Sequence, residues 1–554
     1  MSQVTGADIL CASLKAEGVD LLFDLPGDPM GPILMSCYQQ GIERYSIFRH
    51  EQAAALAAQA WSYITRRIGV ALVASGPGMT NALTALETAR TNCWPTLLIG
   101  GSSELRRRGR GDFQEAPQVE AAAPFCKLAV SVPDPRSIPF LVQSAIRTAM
   151  SGRPGPVYLD LPADVISAAV DADEIRYLPH LDPPQPMADS ALVDAALVEL
   201  QRAARPLLLI GKGAAWADAA NEARAFVDRF QIPFVPSPMG KGVIPDDHPL
   251  CVAAARSYAL RHADLILLLG ARLNWIFHFG EAPRFAPDVK VVQIDIDPPG
   301  IGCGTAPTVG LAGDAQLVMR QLVDAAGPKP ITPAESPWLQ GLAAERTRNR
   351  HAVAALANAD ASPINLYRMF RDIDDVLDRD ATLTIDGERT MAVSRAMASA
   401  YLPRHRLDAG TSGCMGVAVP YAIGAQVARP GRQVLSINGD WAFGFNGMEV
   451  ETAVRYNLPI VFLVANNGTT GLINSARIFA IASGDPFDVV RYDRVMEAFG
   501  GHAELVETTA QFRPALERAF ASGRTALINV VVDPTADRKP QAFDWLSRDN
   551  RMKY

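Results

Sequence analysis

Residues 434–468, which read VLSINGDWAFGFNGMEVETAVRYNLPIVFLVANNG, decide the fold of the C-terminal third of the chain. Apolar runs at the beginning and near the end of this stretch predict two buried strands. Between them, a Gly-Asp turn leads into an amphipathic helix. The order strand, turn, helix and strand places Asp440 and Asn467 at the carboxyl ends of two parallel strands, where open α/β sheets bind ligands.

Asp440 and Asn467 together have the chemistry of a magnesium site. A carboxylate, an amide oxygen and a backbone carbonyl form a hard oxygen site that leaves room for waters and phosphate oxygens. The plainer interpretation is an ordinary turn and an ordinary loop after a strand. The separation of 27 positions and the strand–helix–strand context favour the ligand site.

The rest of the chain alternates helix and strand signals in the same way. Residues 1–180 predict a first doubly wound α/β domain, 187–326 a central one and 360–533 a third. The proline-rich stretch 181–186 is typical of a linker. The predicted fold class is therefore α/β, with three doubly wound parallel-sheet domains followed by a polar tail at 534–554.

Composition excludes several classes of protein. Lys and Arg number 52 against 59 Asp and Glu, a net charge of −7 that argues against general nucleic-acid binding. Seven cysteines without a C-x-x-C pair suggest neither a disulfide framework nor a zinc site. No apolar run approaches the roughly 18 residues of a membrane span. The first residues have acidic side chains and helical periodicity rather than a signal peptide, so we expect a cytoplasmic protein.

The Asp440–Asn467 stretch resembles the diphosphate-anchoring motif of thiamine-diphosphate (ThDP) enzymes, and other segments resemble their acetolactate-synthase-like branch over essentially the whole chain. Residues 49–54, Arg-His-Glu-Gln-Ala-Ala, resemble the glutamate helix of that branch. The resemblance implies that Glu51 meets N1′ of the aminopyrimidine and favours its 4′-imino form. A solvated helix residue is the ordinary alternative.

The same resemblance implies a full set of cofactor contacts. Met415 would force the cofactor into its bent shape, and the Gly413 carbonyl would accept from its 4′-amino group. Trp441 departs from the small residue that many relatives carry. The implied ThDP contacts are Pro26, Gly27, Gly76, Asn81, Gly413, Met415, Gly439, Asp440, Trp441, Ala442, Asn467, Thr469, Thr470 and Gly471. The implied Mg²⁺ ligands are Asp440, Asn467 and Thr469.

Enzymes of this class assemble the site between two subunits. The Glu51 domain of one chain would meet the Asp440 domain of another, which makes a dimer or a tetramer the expected assembly. The tail 534–554 has two interpretations: a disordered end, or a segment that closes over the site and excludes water. Its apolar residues, which suit docking, are Phe543, Trp545, Leu546 and Tyr554.

Segments of the central domain resemble oxalyl-CoA decarboxylase and 2-hydroxyacyl-CoA lyase; they are 211–213, 255–258, 270–275 and 293–295. The resemblance implies an acyl-CoA substrate and a bound ADP. Paired basic residues suit phosphate well, although solvated surface residues are the alternative. The implied ADP and CoA residues are Lys212, Arg256, Asp295, Asp314 and Arg404.

Asp112-Phe113-Gln114-Glu115 distinguishes the two enzymes, because the decarboxylase is expected to carry Tyr-Glu at positions 113 and 114. A neutral amide at Gln114 suits a 2-hydroxyl group. The resulting hypothesis is a lyase that cleaves a 2-hydroxyacyl-CoA, with 2-hydroxyisobutyryl-CoA as candidate, into formyl-CoA and an aldehyde or ketone such as acetone. Glu497 is a candidate for moving the hydroxyl proton.

Three alternatives stay open. The chain could be an oxalyl-CoA decarboxylase, an acetolactate-synthase-like carboligase, or a regulatory protein that has lost catalysis. Residues 384–391 also depart from the Glu-Gly-Ala-Asn pattern expected in the lyases, which leaves the CoA contacts of that loop in doubt.

Overall fold

The computed structural model describes residues 2–327, 329–468 and 489–533. These residues form three α/β domains, each built on a parallel sheet, which confirms the predicted fold class. Thr469, Thr470, Gly471 and the tail 534–554 lie outside the described residues. Within the described ranges, no helix is both long and apolar enough to cross a membrane.

The first domain has a six-stranded parallel sheet in the order β3-β2-β4-β5-β7-β6, and a small antiparallel pair, β1 with β8. Helices cover both faces of the sheet. The strands are β1 Gln3–Thr5, β2 Leu21–Leu25, β3 Glu43–Ser46, β4 Gly69–Val73, β5 Thr96–Ser102, β6 Leu128–Ser131, β7 Pro156–Pro162 and β8 Ala169–Asp171. The helices are α1 Gly6–Ala16, α2 Gly31–Gln40, α3 Glu51–Thr65, α4 Pro77–Asn81, α5 Leu83–Asn92, α6 Gln118–Ala122, α7 Ile138–Met150 and α8 Ala163–Ser167.

The central domain has a five-stranded parallel sheet in the order β10-β9-β11-β12-β13. Its strands are β9 Pro206–Ile210, β10 Phe234–Pro236, β11 Leu265–Leu269, β12 Lys290–Asp295 and β13 Val309–Ala312. Its helices are α9 Ser190–Arg202, α10 Lys212–Trp216, α11 Ala220–Phe230, α12 Arg256–His262 and α13 Ala315–Ala325.

The third domain has a six-stranded parallel sheet in the order β15-β14-β16-β17-β19-β18. The single helix expected between Asp440 and Asn467 is two shorter ones, α18 and α19. The strands are β14 Thr382–Asp386, β15 Arg406–Asp408, β16 Val434–Gly439, β17 Ile460–Asn466, β18 His502–Val506 and β19 Ala526–Val531. The helices are α15 Leu366–Val376, α16 Glu388–Met397, α17 Ala418–Ala428, α18 Asp440–Asn446, α19 Glu449–Arg455, α20 Tyr492–Ala498 and α21 Thr509–Ala521.

The first and third sheets have the same strand order, and in each the chain reverses direction between the first and third strands in sequence. Ligands of open α/β sheets bind in the crevice outside such a reversal. Gly27 and Gly76 follow the two strands at the reversal in the first sheet. Gly387 and Asp440 follow those in the third. The topology therefore carries the predicted cofactor residues to the ligand-binding edges of both sheets.

The segment between the second and third domains contains more structure than its sequence indicates. A 21-residue helix, α14 Pro337–Ala357, occupies most of it. Trp338 and Leu342 are buried against the central domain, and the Trp338 Nε1 group donates to the carbonyl of Pro206 at 3.0 Å. The helix has a narrow apolar face in a polar sequence, which is why periodicity does not reveal it.

Helix α3 joins the first domain to the third. Residues 53–64 of α3 are all buried, between strand β4 on one side and helix α17 on the other. Glycines permit this close approach. A Cβ atom on Gly69 would lie 2.1 Å from the Ala58 carbonyl oxygen, and one on Gly424 would lie 2.1 Å from the Ala57 carbonyl oxygen.

Gly424→Ala should lower the free energy of unfolding by about 1–3 kcal/mol, because the added methyl group overlaps backbone that cannot rotate away. Calorimetric melting of the purified variant measures this. Gly444→Ala is the control, since a Cβ on that helical glycine meets no atom within 4 Å. An equal loss of stability in both variants would contradict the close-contact explanation.

Candidate active site

Glu51 begins helix α3 at the carboxyl edge of the first sheet. The Asn81 Nδ2 group donates to Glu51 Oε2 at 2.9 Å. Gly78 lies beside the carboxylate, since a Cβ there would be in van der Waals contact with Glu51 Oε1 at 3.4 Å. The structure therefore brings Glu51 and Asn81 together, although 30 positions separate them in sequence.

Gly76 forms the sharp turn that precedes Asn81. Its φ of +53° and ψ of −105° suit glycine, and a Cβ would lie 2.5 Å from the Gln114 carbonyl oxygen. Gln114 has a φ of +55°, and its Oε1 accepts a hydrogen bond from the Ser75 hydroxyl at 2.7 Å. Gly27 in turn packs against Ala74, so the loop after β2, which contains Pro26, adjoins the same turn.

A cavity of about 1000 Å³ lies at the carboxyl edge of the third sheet. Burial raises the pKa of Asp440 to about 6, and hydrogen bonds from the N–H groups of Trp441 and Asn467 only partly oppose this. A nearby cation stabilises the ionised form of a half-buried carboxylate whose pKa is raised. Of the predicted cofactor residues, the cavity is lined by Met415, Gly439, Asp440, Trp441, Ala442 and Asn467.

The segment that contains Gly413 and Met415 is held by Asp386. The Asp386 carboxylate accepts from the N–H groups of Gly387 and Val417, each at 2.7 Å. Burial raises its pKa to about 6. Gly413 has a φ of +66°, and Met415 is 41% exposed at the cavity wall.

Glu449 connects this domain to the beginning of helix α3. Its Oε1 accepts from the backbone N–H groups of Arg49 at 2.8 Å and His50 at 3.0 Å, and its Oε2 accepts from the Thr452 hydroxyl at 2.6 Å. The side chain is buried. Glu449 thus fixes the residues immediately before Glu51 against the domain that contains Asp440.

A second cavity, of about 630 Å³, lies at the corresponding strand reversal of the central domain. It is lined by Lys212, Asp295 and Asp314, three of the residues for which the sequence predicts contact with ADP or CoA. Burial lowers the pKa of Lys212 to about 8. Sequence reasoning missed Arg153, which binds Asp295 at 3.1 Å, and the aromatic wall formed by Tyr63, Trp94 and Trp216.

A third cavity, of about 680 Å³, runs from Lys212 and Arg272 of the central domain to Gly413 of the third. Trp275 forms part of its wall, and its Nε1 group donates to the Thr411 carbonyl at 3.0 Å. This passage shares Lys212, Gly270 and Arg272 with the second cavity and extends to the segment that the resemblance assigns to the pyrimidine.

Arg256 does not itself line that passage but contacts Ile276 and Phe277, which do. Its Nη2 donates to the Ile276 carbonyl at 3.1 Å, and its guanidinium carbon lies 4.9 Å from the centre of the Phe277 ring. Burial, together with the charges of the neighbouring Arg284 and Arg395, lowers its pKa to about 9. A cluster of arginines of this kind favours an anionic ligand.

Two predicted residues lie apart from these cavities. Arg404 binds Asp218 at 3.0 Å and donates to the Ala215 carbonyl, so its guanidinium is engaged within the protein. Glu497 is on the exposed face of α20. That helix nevertheless adjoins α18, because the rings of Tyr492 and Phe443 are 5.1 Å apart.

Comparisons with known proteins agree with this geometry. Three thiamine pyrophosphate enzyme models match the chain: the N-terminal TPP-binding domain at 4–121, the central domain at 193–322 and the C-terminal TPP-binding domain at 387–530. The chain is thus a thiamine-dependent enzyme.

Two relatives identify the branch. The chain is 42% identical to 2-hydroxyacyl-CoA lyase 1 of Homo sapiens over 99% of this chain and 98% of that protein. It is 37% identical to oxalyl-CoA decarboxylase of Escherichia coli K12 over 97% and 96%. The chain belongs to the family of thiamine-diphosphate-dependent 2-hydroxyacyl-CoA lyases, which are carbon–carbon lyases.

Glu449→Gln should change how stability depends on pH. Burial raises the pKa of Glu449 to about 7, against about 4.3 in an unfolded chain. The contribution of Glu449 to the free energy of unfolding is therefore greatest below about pH 4.3. It falls as the pH rises through the pKa of about 7 in the folded protein. Glutamine keeps the hydrogen bonds without ionising. The melting temperature of the variant minus that of the wild type should rise between about pH 5 and about pH 8.

Glu451→Gln on the same helix is the matched control. Burial raises the pKa of Glu451, but hydrogen bonds from Arg455 and Arg49 outweigh it and the pKa is lowered. Glu451 is thus ionised in both folded and unfolded chains across this range, so its variant should show a constant difference. A constant difference for Glu449→Gln as well would contradict the assignment.

Proposed function

We propose that this protein cleaves the C1–C2 bond of a 2-hydroxyacyl-CoA, reversibly, with formyl-CoA and an aldehyde or ketone as products. The observation that supports this most is the passage that runs from Lys212 and Arg272 to Gly413. It suits a long ligand with an anionic end and a reactive end. A short branched substrate such as 2-hydroxyisobutyryl-CoA, which would give acetone, is the candidate.

The described residues fit ThDP and Mg²⁺. Asp440 and Asn467 would hold the ion, and the half-buried carboxylate of Asp440, with its raised pKa, is the chemistry that a cation requires. The third predicted ligand, Thr469, lies outside the described residues. Met415 and Gly413 would hold the organic part. Bound ThDP supplies a nucleophilic carbon and an electron sink for the bond that breaks.

Two side chains of the first domain would hold a proton on the cofactor and orient the substrate. Glu51, held by Asn81, would keep a proton at N1′ of the pyrimidine. Gln114 would orient the substrate oxygen without adding charge: its own oxygen accepts from the Ser75 hydroxyl, and its amide nitrogen would donate to the substrate. Glu497 is our candidate for moving the hydroxyl proton, because α20 adjoins α18.

The central domain would hold the nucleotide parts. Lys212, Asp295 and Asp314 would bind ADP in the second cavity, where aromatic rings can stack on adenine. Arg256 would meet a phosphate of CoA. Arg404, which pairs with Asp218, is our remaining candidate for contact with ADP or CoA.

A dimer is the smallest assembly that this function requires, and a tetramer is compatible with it. Trp441 and Phe445 of α18, and Met448 just after it, lie along one side of this helix and are 55%, 57% and 55% exposed. An exposed apolar strip beside a ligand cavity is typical of a protein interface. We propose that the first domain of a partner subunit covers it and supplies the partner's Glu51.

The purified enzyme, given ThDP and Mg²⁺, should convert 2-hydroxyisobutyryl-CoA to formyl-CoA and acetone. Mass spectrometry of products from a panel that includes straight-chain 2-hydroxyacyl-CoA esters, oxalyl-CoA and pyruvate measures this. Product from oxalyl-CoA alone would establish the decarboxylase instead, and acetolactate from pyruvate would establish the carboligase. Activity without added or bound ThDP would contradict the whole assignment.

Arg256→Met should raise KM for the CoA substrate about tenfold or more with little change in kcat, since a hydrogen bond to a charged group contributes about 1.5–3 kcal/mol. Steady-state kinetics measures both constants. Arg224→Met is the control, because Arg224 is exposed and pairs with Asp228 on the surface at 3.5 Å. An unchanged KM for Arg256→Met would remove this residue from the substrate site.

A further inference from the structure

Gln118, the first residue of α6, lies at the centre of the carboxyl edge of the first sheet and is only 2% exposed. Its Oε1 accepts from the backbone N–H of Gly76. Its Nε2 group faces three acceptors: the Gly101 carbonyl at 2.9 Å, the Tyr158 hydroxyl at 2.8 Å and Asp160 Oδ1 at 2.9 Å. One amide thus joins the loop after β4 to strands β5 and β7.

The orientation of this amide is fixed by its neighbours. Gly76 offers only an N–H group, so it must face the amide oxygen, and Gly101 offers only a carbonyl, so it must face the amide nitrogen. Asp160 is held in place by the hydroxyl groups of Ser102 at 3.1 Å and Ser131 at 2.6 Å. The network therefore has one arrangement.

The Gly76 turn transmits this arrangement to the reacting groups. Helix α4, which begins immediately after Gly76, contains Gly78 and Asn81, and both contact Glu51. The other side of Gly76 contacts the backbone of Gln114. A shift of the Gly76 N–H group would move both neighbours, whereas an amide that only fills the core would affect neither.

We propose that Gln118 is a positioning residue: through the Gly76 N–H it sets where Glu51 meets the cofactor and where Gln114 meets the substrate. This inference rests on the proposed roles of those two residues. Misplacement of a reacting group by about 1 Å can cost about 100-fold in rate.

Gln118→Glu tests the donor half of the network. The glutamate still accepts from Gly76, but it donates to Gly101 only when protonated. The charged and titratable groups that face it are Asp160 and Tyr158, with Arg108 3.6 Å beyond Asp160. The adjacent Asp160 carboxylate favours protonation of the new side chain.

The holoenzyme of Gln118→Glu should have a kcat about 100-fold below wild type near pH 8. The ratio of variant to wild type should then recover by up to about tenfold per pH unit as the pH falls. Gln118→Met, which neither donates nor accepts, should lose activity by the same factor at every pH.

Gln59→Met is the matched control, because Gln59 is a fully buried glutamine of the same domain that donates to the Ala85 carbonyl at 2.7 Å. It should lose stability and keep kcat. Hydrogen–deuterium exchange at C2 of bound ThDP supplies a readout independent of the acyl-CoA substrate, and it should slow about tenfold or more in Gln118→Met.

Two results would overturn the proposal: unchanged C2 exchange and kcat in folded Gln118→Met, or a Gln118→Glu ratio that does not change with pH. If no 2-hydroxyacyl-CoA is converted but C2 exchange still slows, the substrate assignment fails and the positioning role of Gln118 stands.

Discussion

The contact between helices α3 and α17 is the constraint on which the site depends. Gly424 of α17 and Gly69 of β4 lie against backbone carbonyl oxygens of α3, on its two sides, where a single methyl group would not fit. Because α3 begins with Glu51 and α17 follows the Gly413 segment, this contact fixes the first domain against the third. Glu449 adds a buried polar link at the same junction. The close packing on both sides of α3 requires small side chains, which explains its alanine-rich composition. The high helix propensity of alanine is a secondary contribution.

Sequence reasoning succeeds where the signal is local. Short apolar runs followed by turns predict the strand ends that precede Gly76 and Asp440. The strand reversal that both sheets have then places each residue at the ligand-binding edge of its own sheet. Lys212, Asp295 and Asp314 came together for the same reason. The magnesium ligand role of Asp440 stays a prediction, although its burial and raised pKa support it.

The remaining features depend on contacts between distant parts of the chain. Arg153 reaches Asp295 across 142 positions, and Glu449 reaches Arg49 across 400. Neither pairing has a local signature. Gln118 lies four residues after Gln114, yet nothing in the sequence around it indicates that its amide meets Gly76. The assignment of Arg404 to a ligand stays a prediction, and the sequence did not indicate that its guanidinium pairs with Asp218.

The second cavity, in the central domain, and the passage to Gly413 share a wall made of Lys212, Gly270 and Arg272. If each holds a ligand as proposed, the same side chains contact both ligands and can couple their binding. Such coupling is reciprocal, because the factor by which one ligand changes the affinity for the other is the same in both directions. Under the proposed function, a nucleotide that takes no part in the reaction would then act as an effector of substrate affinity, without any displacement of the domains.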